Sequence, residues 1–171
     1  MRNNKERSKI ISEKLKGVPK TEESKIKLSE TQKLRFKNNP KLREDASNRR
    51  INWLKSKLSK SKSKVEIKFE SILILLNIEY TYQYEFQHRL FDFKIKDRDV
   101  LIEVDGDFYH CNPNTKHSEI LYETQLITKK NDDYKNILCQ THNIKLIRFW
   151  EKDINERPEW VISELKRELS L

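Results

Sequence analysis

Cysteine is scarce in this chain, and long apolar runs are missing. Cys111 and Cys139 are the two cysteines among 171 residues, with no paired spacing around them. That excludes a disulfide framework and fits a reducing compartment, so the expected location is the cytoplasm. No apolar run approaches the ~18 residues of a membrane helix. The N-terminal stretch is charged throughout and lacks the apolar core of a signal peptide. Apolar residues are too few there for membrane-surface binding to be the favoured role, so no membrane partner is expected.

Charge is plentiful and unevenly placed. Residues 1–64 hold 21 Lys/Arg against 7 Asp/Glu, whereas residues 65–171 hold 15 against 20. Charged residues make up 37% of the chain and apolar ones 35%, so the whole chain does not fold around one core. The division predicted is a basic arm over 1–62 and a folded body over 63–171. A basic arm on a slightly acidic body points to a polyanionic partner.

The arm repeats itself imperfectly. Glu6-Arg7-Ser8-Lys9-Ile10 is echoed by Glu22-Glu23-Ser24-Lys25-Ile26, and Ser12-Glu13-Lys14-Leu15-Lys16-Gly17, one residue out of step, by Ser29-Glu30-Thr31-Gln32-Lys33-Leu34. Each unit reads as a short helix with Ile and Leu on one side and Lys on the others. Gly17 suits a helix C-cap with Pro19 just beyond, and Thr21-Glu22-Glu23 suits a helix start. A solvated pair of charged helices has the same appearance. Asn38-Asn39-Pro40 breaks the pattern. A further helix is predicted over 41–58, with Arg49, Arg50, Lys55 and Lys57 toward phosphates. Ser59 to Lys64 alternates Ser and Lys as a flexible basic linker.

The body begins with Ser63-Lys64-Val65-Glu66, which has capping-box spacing at the start of a helix. Tyr80, Tyr82, Tyr84 and Phe86 alternate with polar residues, the period of a half-buried strand. Strands are predicted over 90–95 and 100–104, one or two helices over 118–142, a strand over 145–150 and a closing helix over 159–169. Three strands, a helical crossover and a fourth strand make a mixed α/β sheet with helices packed against it.

The chemistry gathers between Phe91 and His110. Asp92, Glu103 and Asp105 stand in apolar strand contexts, and Glu103 and Asp105 share a face by two-residue spacing. Asp92 on the adjacent strand can lie opposite them. Close carboxylates repel unless a cation holds them, and an oxygen-lined site suits magnesium or manganese. Such an ion can activate water and stabilise a phosphoryl transition state, with a nearby histidine as general base. The competing reading turns these carboxylates to solvent at a sheet edge.

Two resemblances attach to these residues. Asp92…Ile102-Glu103-Val104-Asp105-Gly106 is similar to the catalytic pattern of the PD-(D/E)XK nuclease superfamily. Over residues 63–165 the chain resembles its very-short-patch-repair branch and the phage homing endonucleases with an EDxHD motif. The matching positions are Glu66, Asp92, the variable Asp105, His110 after Gly106-Asp107-Phe108-Tyr109, and Asp132. Residues 8–36 resemble the nuclease-associated modular DNA-binding motifs that accompany such domains.

These resemblances imply a PD-(D/E)XK restriction-endonuclease-like sheet, and a magnesium- or manganese-dependent site-specific endonuclease acting on double-stranded DNA in a bacterial host's cytoplasm, paired as a homodimer if both strands are cut. Asp92 would ligate the metal, joined by the Val104 carbonyl, Glu103 or Asp105. His110 would activate water, Asp132 would orient His110 or a bound water, and Glu66 would act from farther out. Both Glu66 and Asp132 have a plainer reading, as a helix cap and an exposed helix acid. Lys9, Lys14, Lys16, Lys20, Lys25, Lys27, Lys33, Arg35, Arg49 and Arg50 would contact DNA. The zinc-ligand positions of the repair enzymes fall on Asp107, Asn112, Asn114 and Lys152, so no zinc of that type is expected. A mismatch nickase and a non-catalytic DNA-binding regulator are the alternative functions.

Overall fold

The structure is a computed structural model that describes residues 12–13, 16–17, 19–58 and 62–171. Lys9, Lys14 and most of the first repeat unit lie outside the described residues. The chain divides into two compact units, residues 1–46 and 47–171. Among the described residues no helix is long and apolar enough to cross a membrane.

In the first unit, α1 spans Glu22–Asn38. The Thr21 hydroxyl caps it by accepting from the Ser24 N–H, and Glu22 and Glu23 complement the positive end of the helix. This helix buries none of its residues. Ile26, Leu28 and Leu34 are all at least half exposed, so its apolar side has no core to join within the unit. Helix α2 spans Pro40–Leu58. Asn39 accepts from the Leu42 N–H at 3.2 Å and Pro40 takes the first helical position, which makes the break after α1 a helix start as well.

The second unit opens with the α2 residues from Ser47 onward. Ile51 is buried, and the partly exposed Lys55 pairs with Glu85 at 2.5 Å. Helix α3 spans Lys64–Leu75 behind the expected capping box of Ser63 and Glu66. Strands β1 Tyr80–Phe86, β2 Arg89–Ile95 and β3 Val100–Asp105 form an antiparallel meander. Helix α4, Glu123–Thr141, crosses over to β4, Lys145–Trp150, which runs parallel to β3. The result is a four-stranded mixed sheet in the order β1-β2-β3-β4, flanked by helices. Two short helices close the chain, α5 Glu151–Glu156 and α6 Pro158–Leu169. Helix α5 was not anticipated. It is one turn and a half long, held between the end of β4 and the helix-starting Pro158, too short to show a period.

One sheet face packs Phe93, Ile102 and Phe149 against Phe69 of α3 and against Val161 and Leu165 of α6. Phe69 lies 5.4 Å from Phe93 and 5.2 Å from Phe149, ring centre to ring centre. The other face carries Phe91 and Leu101 under Leu138 and Cys139 of α4. Phe91 and Phe93 share a strand and two-residue spacing, yet they belong to opposite faces. Tyr82 and Tyr84 on the paired strand divide in the same way. The alternation breaks between them, at Asp92 on β2 and Gln83 on β1. Gln83 takes the break with φ of +51°, a left-handed conformation that ordinary side chains resist.

Candidate active site

The break in alternation puts Asp92 where two strands separate. Instead of a backbone carbonyl, the Asp92 carboxylate accepts the Val104 N–H, at 2.8 Å. Continuing the pairing of Phe93 with Ile102 places Asp92 beside Glu103. Glu103 is 4% exposed, on a strand buried along its whole length. Burial first, and the negative charge of Glu103 second, hold the Asp92 carboxyl well above the ordinary carboxylate range. Burial raises Glu103 too, and the opposing pull of Lys135 and Arg148 does not cancel it.

Lys135 is the direct partner of this acid pair. It reaches down from α4 and places its Nζ 2.8 Å from both Glu103 oxygens. A buried carboxylate, Glu103, and a partly buried one, Asp92, therefore share one ammonium group. That imbalance, with oxygen donors only, suits a hard divalent cation. Asp92, Glu103 and the carbonyl of Val104 between Glu103 and Asp105 are the groups able to hold it.

Asp105 sits in a different company. Arg148 on β4 places its Nη1 2.8 Å from both Asp105 oxygens and 3.3 Å from Asp132. His110 Nδ1 lies 2.7 Å from Asp132 and 3.4 Å from Asp105. Asp105, His110 and Asp132 bring one ligand atom each within 4.8 Å of one another, so they too could surround a cation. Here, however, the Arg148 guanidinium bonds both carboxylates, and His110 adds a second positive charge when it is protonated. Burial disfavours the charged imidazole of His110, but the Asp132 bond and the Asp105 charge outweigh it and raise its pKa. Burial likewise pushes Asp132 up, and its bond to His110 and the Arg148 charge bring it below its usual value.

The loop that carries His110 is fixed at both ends. The His110 N–H bonds to the Gly106 carbonyl at 3.1 Å. Gln125, 1% exposed, donates to the Phe108 carbonyl at 2.8 Å and accepts from the N–H groups of Leu121 and Tyr122. It thus ties the loop to the start of α4, the helix that bears Asp132. This capture by Gln125 also explains why α4 begins at Glu123 and not at 118. On the other side Asn112 donates to Asp107 at 2.6 Å, the Asn114 N–H donates to Asn112, and Lys152 donates to the Asn114 carbonyl. The four positions where a zinc site was not expected are joined by hydrogen bonds.

Glu66 completes its capping box and also accepts from the Tyr82 hydroxyl at 3.2 Å. Burial, then Glu66, and more weakly the Asp92 charge, push the Tyr82 phenol far up. Asp92, Glu103, Asp105, His110 and Asp132 are thus brought together, with Glu66 joined through Tyr82. Lys16, Lys20, Lys25, Lys27, Lys33, Arg35, Arg49 and Arg50 are exposed, and Lys25 pairs with Glu22.

Sequence reasoning passed over Lys135, Arg148 and Gln125. Lys135 lies three residues after Asp132, on the same helical face, and that spacing was the available signal. Arg148 is the one charged residue inside the apolar run Leu146 to Trp150. Gln125 left no sequence signal.

No protein-family model matches the chain, and no curated protein matches it significantly. One solved structure to which it is similar is the "Homing Endonuclease I-Bth0305I Catalytic Domain". The TM-score is 0.46 and the identity 14%, over 62% of this chain and 93% of that one.

Proposed function

We propose that the chain is a magnesium- or manganese-dependent DNA endonuclease of the PD-(D/E)XK type, with residues 63–171 cutting and the basic residues before them holding DNA. The observation that carries this reading is the pair of buried Glu103 and partly buried Asp92, with one lysine bonded to Glu103 and a His110–Asp132 dyad next to it. The hydrogen-bonded set at Asp107, Asn112, Asn114 and Lys152 favours the homing-endonuclease side of the resemblance over the mismatch-repair side.

A bound divalent ion supplies charge neutralisation at the phosphate and a more acidic water. Asp92, Glu103 and the Val104 carbonyl would hold it. Lys135 steadies the acid pair beforehand. Asp132 takes the Nδ1 hydrogen of His110 and leaves Nε2 to accept a proton from the attacking water. Arg148 holds Asp132 and Asp105 in place through charge-assisted bonds. Glu66 adds a second negative charge behind Asp92 through Tyr82.

One such site makes one nick, so a double-strand break needs a second copy or a second encounter. The test is supercoiled plasmid or phage DNA with magnesium, and the same mixture with a chelator. The full chain is expected to cut only in the first, and Asp92→Ala to bind DNA without cutting it. A full chain that binds DNA and never cuts, with either metal, rejects the proposal.

A further inference from the structure

Next to the candidate site, and sharing Lys135 and His110 with it, the second unit has an open cleft of about 290 Å³. Its walls come from the latter half of α2, the β1–β2 turn and α4. Arg50, Arg89 and Lys135 line it, together with His88, His110 and Asn131. Ile51, Leu54 and Leu90 supply an apolar surface between them. No carboxylate is among the residues that line it.

Three features give this cleft a chemical direction. First, it shares two side chains with the candidate site. Lys135 reaches Glu103 and His110 reaches Asp132, and both also line the cleft. Second, its cations are ordered in advance. The Arg89 guanidinium stacks on the Tyr134 ring at 4.4 Å, which limits the rotamer freedom lost on binding. Third, His88 lines it in an unusual state. His88 Nδ1 is buried and has no hydrogen-bond partner, which is uncommon for a buried nitrogen. His88 is the second residue of the tight turn between β1 and β2. It keeps φ of +58°, where glycine or asparagine is the usual choice.

Cationic walls and an apolar floor match the parts of one nucleotide: phosphate on the first, sugar and base on the second. We propose that the cleft seats the nucleotide next to the scissile phosphate, with Arg50 and Arg89 on its flanking phosphate. This rests on the endonuclease reading, and it makes α2 from Ser47 onward part of the wall of the active site.

The experiment uses the full chain carrying Asp92→Ala, which does not cut, and a random-sequence DNA duplex. The ring resonances of His88, His110, His117 and His142 are followed by NMR during titration. Binding is measured in parallel over a range of salt concentrations. Saturation with duplex is expected to move His88 and His110 and leave His142 in place. Arg50→Ala and Arg89→Ala are each expected to weaken binding and lower the salt slope by about 0.9, one phosphate contact. Arg89→Lys keeps the charge and should keep the slope. Duplex binding that leaves His88 unmoved, or slopes unchanged in both alanine variants, overturns the proposal. The two readings fail separately. A wild-type chain that shifts His88 but never cuts plasmid keeps the cleft and rejects hydrolysis. One that cuts while His88 stays still rejects the cleft alone.

Discussion

Asp92, Glu103, Asp105 and Asp132 are four acids in one small volume, and their neutralisation is unequal. Arg148 and, when protonated, His110 balance Asp105 and Asp132, whereas Lys135 is the cation bonded to the Asp92–Glu103 pair and Arg148 acts on Glu103 only through its charge. The raised Asp92 pKa has a stability consequence of definite sign. Above the ordinary carboxylate range the unfolded chain has lost a proton that folded Asp92 still holds, so metal-free stability falls as pH rises through the raised value. Asp92→Asn is therefore expected to raise the thermal midpoint at neutral pH in chelator while abolishing cutting. A lowered midpoint would contradict the strain assigned to the pair. Removing Lys135 acts in the opposite direction. Lys135→Met leaves Glu103 buried without its partner and should cost about 3–5 kcal/mol in denaturant unfolding, partly restored by magnesium. The dyad gives a pH prediction. His110 holds its proton above the usual histidine range, so the basic form needed for water activation appears as pH rises through that raised value. Asp132→Asn removes the main raising contact, leaving the Asp105 charge alone against burial and Arg148, which favour the neutral ring. Its pH–rate midpoint should move to lower pH while the maximal rate falls by roughly 10²-fold, the scale of a lost acid–base contribution. An unmoved midpoint would separate Asp132 from the titration of His110.

Among the elements, the β1–β2 pair shows what spacing can and cannot reveal. The run Tyr80, Tyr82, Tyr84, Phe86 announced a strand, and a strand is there. Its regularity also promised one face, which the structure does not keep. The change of face at Gln83 and Asp92 depends on a left-handed backbone that glutamine does not advertise. Gln83→Val should therefore destabilise the fold by about 2 kcal/mol, and Gln83→Gly by much less, as measured by urea unfolding. Equal losses would place the strain elsewhere. The meander, the helical crossover and the parallel fourth strand were legible, because each has its own period and turn residues. Asp92, Glu103, Asp105 and His110 were legible as ionisable groups in or just after apolar strands. Asp132 came through resemblance alone, since beside Asp133 on a helix it reads as a solvated acid. Lys135 and Arg148 stayed hidden because a lone cation on a helix or strand shows its partner only once distant segments meet.

For the whole molecule, the two units differ in how they are built. Residues 47–171 contain a two-sided sheet core, while α1 in the first unit buries none of its residues. A surface of exposed lysines with little apolar burial suits contacts to phosphates, whose strength depends on salt. Deleting residues 1–46 is expected to weaken DNA binding and flatten its salt dependence, and to leave the denaturation midpoint of the remaining unit nearly unchanged. An unchanged salt slope would rule out this segment as a main phosphate-binding element. The central claim is that Asp92 and Glu103, and not the Arg148-balanced group around Asp105, hold the ion for DNA cleavage. The most direct test measures plasmid nicking against magnesium concentration for the full chain, Asp92→Ala and Asp105→Asn. The account predicts nicking by the full chain, a loss of at least about a thousandfold for Asp92→Ala, and an unchanged half-saturating magnesium concentration for Asp105→Asn. Nicking by Asp92→Ala at the full-chain rate, or a half-saturation point that moves with Asp105→Asn alone, would contradict it.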